Sequence, residues 1–238
     1  MTTENTMFCP VCRAVKHDLR LAEPDTGSLT QQYQLRKSLS SGEILFEEGS
    51  VCNRVYGVHV GEVKLSRKSS AAPQVLRLVA PGQVLGHRAA LTREPYSLTA
   101  QATGGVEVCT ISLELFNRLV KESPDFATTV LTQLAETLRD AEDRIVSLAH
   151  DSVRRRCAKM LLYLRRGPET ADTTDNEVRS GLRRLEMAQM IGTTPDTLSR
   201  TLHSLARQRL IEISRTNIRI IDPNALERIA NTVTAPAS

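Results

Sequence analysis

The sequence predicts an α+β chain: an N-terminal jelly-roll β-barrel, a long helix, and a C-terminal winged helix-turn-helix. Three observations carry that expectation. Short apolar runs punctuated by Gly, Pro and Ser fill the first half, a heptad-spaced apolar stripe follows, and "MAQMIGTTPDTLSRTLHSL" then joins two helical segments through a tight turn. The expected parts are a polar leader over 1–30, the barrel over 31–122, the long helix over 123–150 and the winged helix-turn-helix over 151–238.

Composition sets the outer bounds. A chain of 238 residues, 40% hydrophobic, is long enough for two cores. No run approaches the roughly 18 apolar residues of a membrane span, and the N-terminus lacks a basic-then-apolar signal layout. A cytoplasmic chain with no membrane partner is expected. There the five cysteines serve as metal ligands, redox thiols or core filler rather than as a disulfide framework. Four Phe, four Tyr and no Trp leave little aromatic surface for stacking unpaired bases. Charge is uneven: Ser152 to Ser238 carries 15 Lys/Arg against 9 Asp/Glu, whereas residues 1–151 carry 16 against 18. A basic C-terminal part points to a polyanionic partner.

In the barrel region, "EILFEEG", "NRVYGVHVGEVKLSR", "QVLRLVAPGQVLG" and "GVEVCTIS" read as strands. Glycines at 42, 49, 61, 82 and 86, then 104 and 105, recur at spacings suited to compact antiparallel turns. Neither a GxGxxG nor a GxxxxGK phosphate loop is present. In the long helix, Leu131, Leu134, Leu138, Ala141, Ile145 and Leu148 alternate spacings of three and four. A stripe this narrow fits a parallel dimer seam better than packing on its own domain. Asp140 and Arg144 support the helix at i, i+4.

In the C-terminal segment Ala188 is small where two helices cross, and Gly192 supplies the turn between them. Thr194 is a candidate N-cap, Pro195 suits the first helical position, and Asp196 faces the positive end of the dipole. Leu198, Leu202 and Leu205 share an inward face. Asp196, Ser199, Arg200 and His203 share the outward one, with Thr197 beside them. Short polar groups plus one Arg at the start of a second helix suit reading of the major groove of double-stranded DNA. "RLIEISRTNIRIID" alternates like a two-stranded wing in which Arg215 and Arg219 reach phosphates.

Taken together, barrel, long helix and winged helix-turn-helix resemble the cyclic-AMP receptor protein / fumarate-nitrate reduction regulator (CRP/FNR) family. "GEILFEEGSVCNRVYGVHVGEVKL" and "LVAPGQVLG" are similar to its barrel signature. "PDTLSRTL" is similar to the recognition helix of its oxygen-responsive, FNR-like branch, typically E-x-x-S-R. Ser199 and Arg200 match that pattern, and Asp196 replaces the Glu. The resemblance implies a homodimeric transcription regulator that binds a palindromic operator and touches RNA polymerase when it activates.

The resemblance also bears on the signal. Where the cyclic-nucleotide-binding branch places Glu and an Arg-Ser pair, "GHRAALTREPYSLT" has His87, Tyr96 and Ser97. Without the phosphate's guanidinium fork, and with Arg88 and Arg93 out of register, binding of cAMP is not expected. Cys9 and Cys12 form a CxxC, and Cys109 falls where the FNR-like branch places its barrel cluster cysteine. That branch holds an iron–sulfur cluster, [4Fe-4S], on four thiolates, and the third leader cysteine is missing here. His17 or Cys52 is offered as the remaining ligand. Three readings stay open: an unusual cluster, a zinc site, or a thiol switch without metal; a small ligand in the barrel is a further alternative input. Cys157 reads as core filler, and His59 and His150 as structural residues.

In the branch's helix seam an acidic residue makes dimerisation depend on the cluster. Ala141 stands at that position, flanked by Asp140 and Asp143, so a dimer that persists without cofactor is expected. Other classes fare worse. A metal oxygenase needs a His/carboxylate facial set, and the barrel offers only His59 and His87 without an HxH or HxxxE pattern. The chain is therefore not expected to be an enzyme.

Overall fold

The computed structural model describes residues 9–21, 33–69, 73–165, 176–178, 181–214 and 217–231, with the side chains of 16–21 and 33–35 left out. Two compact units are formed, one to Leu138 and one from Arg139.

The first unit opens with helix α1 (Pro10–Leu21). Eight strands follow: β1 (Tyr33–Leu39), β2 (Ile44–Phe46), β3 (Arg54–Val60), β4 (Val63–Arg67), β5 (Gln74–Val79), β6 (Val84–Leu85), β7 (Thr99–Ala102) and β8 (Val106–Ser112). Short helix α2 (His87–Thr92) lies between β6 and β7. The strands pair antiparallel in two four-stranded sheets, β1-β8-β3-β6 and β2-β7-β4-β5. β3 and β8 are buried on both faces over most of their length. One face meets the barrel interior, and α1 and α3 (Leu113–Glu122) pack on the other.

The sequence expectation of a polar leader over 1–30 needs correcting. Cys9, Val11, Cys12, Ala14 and Val15 are all buried in the barrel's core, whereas Arg13 is exposed. Positions 11, 12 and 15 form one apolar helical face, which the polar composition of the whole leader masks.

Helix α4 (Pro124–His150) runs through the boundary between the units. Its first half is fastened to the barrel by Gln133, whose side-chain carbonyl accepts from Val84 N–H (2.9 Å) while its NH2 donates to Val84 C=O (2.7 Å). Arg77 donates to the Thr137 hydroxyl nearby (3.0 Å).

The second unit contains α5 (Val153–Arg165), β9 (Glu177–Val178), α6 (Arg184–Met190), α7 (Pro195–Arg207), β10 (Ile211–Ile213), β11 (Ile218–Ile220) and α8 (Pro223–Asn231). Its strands form one sheet in the order β10-β11-β9. The expected helix start is present: Thr194 caps α7 by accepting from Thr197 N–H, with Pro195 at the first position. Gly192 has φ +62, a conformation that side chains rarely adopt. Leu198, Leu202 and Leu205 are buried, and Ala188 is fully so.

Asp151 ties α4 to α5. Its buried carboxylate accepts from Ser147, Lys159 and Arg155 at 2.5–2.8 Å. Burial alone would raise its pKa, but the bonds from Lys159 and Ser147 and the Arg155 charge hold it below the usual carboxylate range. Asp151→Ala is expected to lower stability by about 2–3 kcal/mol at neutral pH. Because the folded-state pKa is depressed, this contribution is present above the unfolded pKa of about 4 and fades as pH falls through the folded value. Urea midpoints of wild type and variant should therefore converge in acid.

Candidate metal-ligating site and nucleic-acid interface

A short pairing between distant strands creates the first site. In the β3–β8 ladder Gly57 lies opposite Cys109. A Cβ at Gly57 would stand 2.5 Å from Cys9 Sγ and 3.0 Å from Cys109 Sγ, so its missing side chain is the space that the thiols occupy. Two residues on, the register of β3 against β8 shifts between Val58 and Val60, leaving His59 in a bulge. Bulges re-aim side chains, and here the imidazole turns toward the leader. Cys9 lies just before α1, where its C=O accepts from Arg13 N–H, and Cys12 lies in the helix's first turn.

Four donor atoms thus converge: the Cys9, Cys12 and Cys109 thiols and the His59 imidazole, all within 4.8 Å of one another. Cys9 Sγ is 3.5 Å from Cys109 Sγ, and Cys12 Sγ is 3.0 Å from His59 Nε2. The three thiols are at most 1% exposed and His59 is 8% exposed. Hydrogen bonds with Cys12 and then Cys9 push the His59 imidazole up to about 10, against the effect of burial. The Cys109 thiol is driven far above its ordinary range by its bonds to Cys12 and Cys9 and by desolvation. Deprotonating several sulfurs in so dry a space needs a cation beside them, and a bound metal would supply it.

The sequence offered Cys52 or His17 as the remaining ligand and took His59 as structural. The structure brings His59, not Cys52, to the three cysteines. Cys52 lies apart, with its thiol 3.9 Å from the Arg54 and Gly86 carbonyls, and burial raises its pKa. The His17 side chain lies outside the described residues. Cys157 is buried and its thiol is raised to about 12 by desolvation, while His150 is exposed at the end of α4. In the barrel interior Tyr96 stacks on Phe46 with centroids 4.0 Å apart, and its hydroxyl donates to the Arg54 carbonyl at 2.6 Å. Burial and then the Arg77 charge push the His87 imidazole down to about 4.

The second candidate surface lies on α7. Asp196, Ser199, Arg200 and His203 are exposed, opposite the buried leucines, and Thr197 is half-buried. Arg200 Nε makes a 3.4 Å contact with the Asp196 carbonyl. Arg219 is exposed on β11, opposite Glu212 of β10, and Arg215 lies outside the described residues. On α4, Leu131, Leu138, Ile145 and Leu148 are 44–67% exposed and Ala141 is exposed, whereas Leu134 packs against the barrel core. Among the described residues no helix is long and apolar enough to cross a membrane.

Comparison with known proteins places this arrangement. The cyclic nucleotide-binding domain family matches residues 36–123, and the Crp-like helix-turn-helix domain family matches residues 155–229. The chain is 27% identical to the nitrogen fixation regulation protein FixK of Bradyrhizobium diazoefficiens, over 97% of both chains. It is 28% identical to the cyclic AMP receptor protein of Thermus thermophilus, over 87% of this chain and 93% of the relative. The fold of FixK2 from Bradyrhizobium japonicum superposes with a TM-score of 0.72 at 22% identity, covering 85% and 98% of the two chains. A barrel, a long helix and a Crp-like helix-turn-helix define a DNA-binding transcription regulator, not an enzyme. The chain belongs to the CRP/FNR family of these regulators.

Gly57→Ala forces its new Cβ into the Cys9 and Cys109 sulfurs. Native-state alkylation followed by peptide mapping should show both thiols labelled much faster than in wild type. Equal labelling rates would contradict the packing described.

Proposed function

We propose that the chain is a homodimeric, sequence-specific regulator that reports oxygen, nitric oxide or redox state through the centre formed by Cys9, Cys12, Cys109 and His59. The observation that carries this reading is the convergence of leader and barrel donors in a buried space. Oxidation or nitrosation of those sulfurs changes their charge and volume where neither is tolerated, so the leader's seat on the barrel must change with them. Cyclic AMP is not proposed as the input, since the resemblance puts Tyr96 in place of the phosphate's arginine, and its ring stacks on Phe46 while its hydroxyl bonds the Arg54 carbonyl.

Two copies join along Leu131, Leu138, Ala141, Ile145 and Leu148, the expected seam less Leu134, which packs on its own barrel. Each then sets α7 into one half of a palindromic operator, with Asp196, Thr197, Ser199, Arg200 and His203 at the bases and Arg215 and Arg219 at phosphates. RNA polymerase is the further partner when the regulator activates, and the cytoplasm is where it works.

Mobility-shift titrations against operator and random duplex, with reduced and oxidised protein, test this reading. Arg200→Ala should cost about 1–3 kcal/mol on the operator and relax specificity at one base step of each half-site. Arg215→Ala should weaken both duplexes and lower the salt slope by about one. Equal losses on both duplexes from both variants, or no response to oxidant, would refute the assignment. With Ala141 in the seam, metal-free protein should still elute as a dimer at micromolar concentration.

A further inference from the structure

The spacing of the four donors says what kind of occupant the centre takes. We infer that Cys9, Cys12, Cys109 and His59 hold one tetrahedral divalent ion of the zinc type, and that this ion clasps α1 to the β3–β8 face. The inference rests on the proposed sensory reading only in sharing its site.

Three thiolates and one imidazole are a common donor set for a closed tetrahedral zinc site. At Zn–S near 2.3 Å and Zn–N near 2.0–2.1 Å, tetrahedral geometry puts donor atoms about 3.5–4 Å apart. Here all four donors already lie within 4.8 Å of one another, with Cys9 and Cys109 at 3.5 Å. The four-iron cluster of the FNR-like branch does not fit this spacing. It places each ligand on a separate iron at a separate corner and needs room for inorganic sulfide between them. The space over Gly57 is instead taken by the Cys9 and Cys109 sulfurs and by Val11.

The chain's placement of the ligands adds a second line of support. Cys9 and Cys12 straddle the start of a twelve-residue helix, where free N–H groups favour thiolates. Cys109 and His59 come from adjacent strands of the barrel. One ion therefore links two segments about a hundred residues apart, the chemistry of a cross-link. On binding, the three thiols release their protons to solvent and the imidazole binds neutral through Nε2, leaving a net charge of −1 on the site.

Cobalt(II) titration of the reduced full-length apoprotein tests this. One equivalent should saturate the intense visible bands of tetrahedral cobalt with thiolate charge transfer, and zinc should then abolish them. His59→Ala should weaken binding about tenfold or more, and His59→Cys should retain one tetrahedral ion with stronger thiolate charge transfer. Hydrogen exchange at the α1 amides should rise when the ion is chelated. Six-coordinate cobalt spectra, matched iron and sulfide in several equivalents from anaerobic purification, or α1 exchange indifferent to the ion would each overturn the inference. The two readings fail separately. A cluster leaves redox sensing standing without the single ion, whereas one zinc with DNA binding indifferent to oxidants leaves the clasp standing without sensing.

Discussion

At the Gly57–Cys109 rung of the β3–β8 ladder, one strand carries no side chain and the other carries a thiol. That asymmetry lets a helix from outside the barrel press two more sulfurs onto the sheet, in a place where no water is left to solvate them. The leader's docking and the acid–base behaviour of His59 both follow from this contact. A larger residue at position 57 would leave β3 intact as a strand but would evict the group it was paired to receive. The constraint is steric at its origin and electrostatic in its effect, because sulfurs brought so close in a dry space must share protons or a cation.

The second unit is organised on a different principle. Its reading helix divides buried leucines from exposed polar groups with a period near 3.6, and its start is fixed by Thr194 and Pro195. The cap matters to recognition as well as to stability, since it sets where the first turn begins and so where Asp196, Ser199 and Arg200 stand relative to one another. Asp196 is one methylene shorter than the Glu common at this place in the FNR-like branch. In the proposed DNA-bound state, a base edge reached through that carboxylate lies closer to the helix, which acts on half-site preference more than on affinity.

Much of this was legible in the amino-acid order, and the boundary of legibility has a physical cause. Turn glycines, the Thr194–Pro195 start, the left-handed Gly192 and the inward leucines are local signals set by residues within a few positions of one another. The apolar stripe of α4, exposed at Leu131, Leu138, Ile145 and Leu148, is equally local. His59 is different: its role depends on a strand register formed with residues about fifty positions away, and on a bulge that no alternation pattern reveals. Glycine at 57 was the one available clue, as a residue without a side chain in a strand otherwise rich in valine. Cys52 is equally a barrel cysteine, yet it lies in the loop before β3 with its thiol beside Tyr96 and the Arg54 and Gly86 carbonyls. The leader misled for a related reason, its average polarity concealing one apolar helical face.

The Gln133 side chain makes both of its hydrogen bonds to the backbone of Val84, on the outer edge of the sheet that ends in β6. A primary amide presents donor and acceptor side by side, as a neighbouring strand would, so one residue closes an edge that would otherwise invite another chain. Because the bond pair is directional, α4 cannot roll about its own axis without breaking both. The rotational phase at which Leu131 and Leu138 face outward is thus set by a glutamine that lies between them in the chain, acting as a strand of length one.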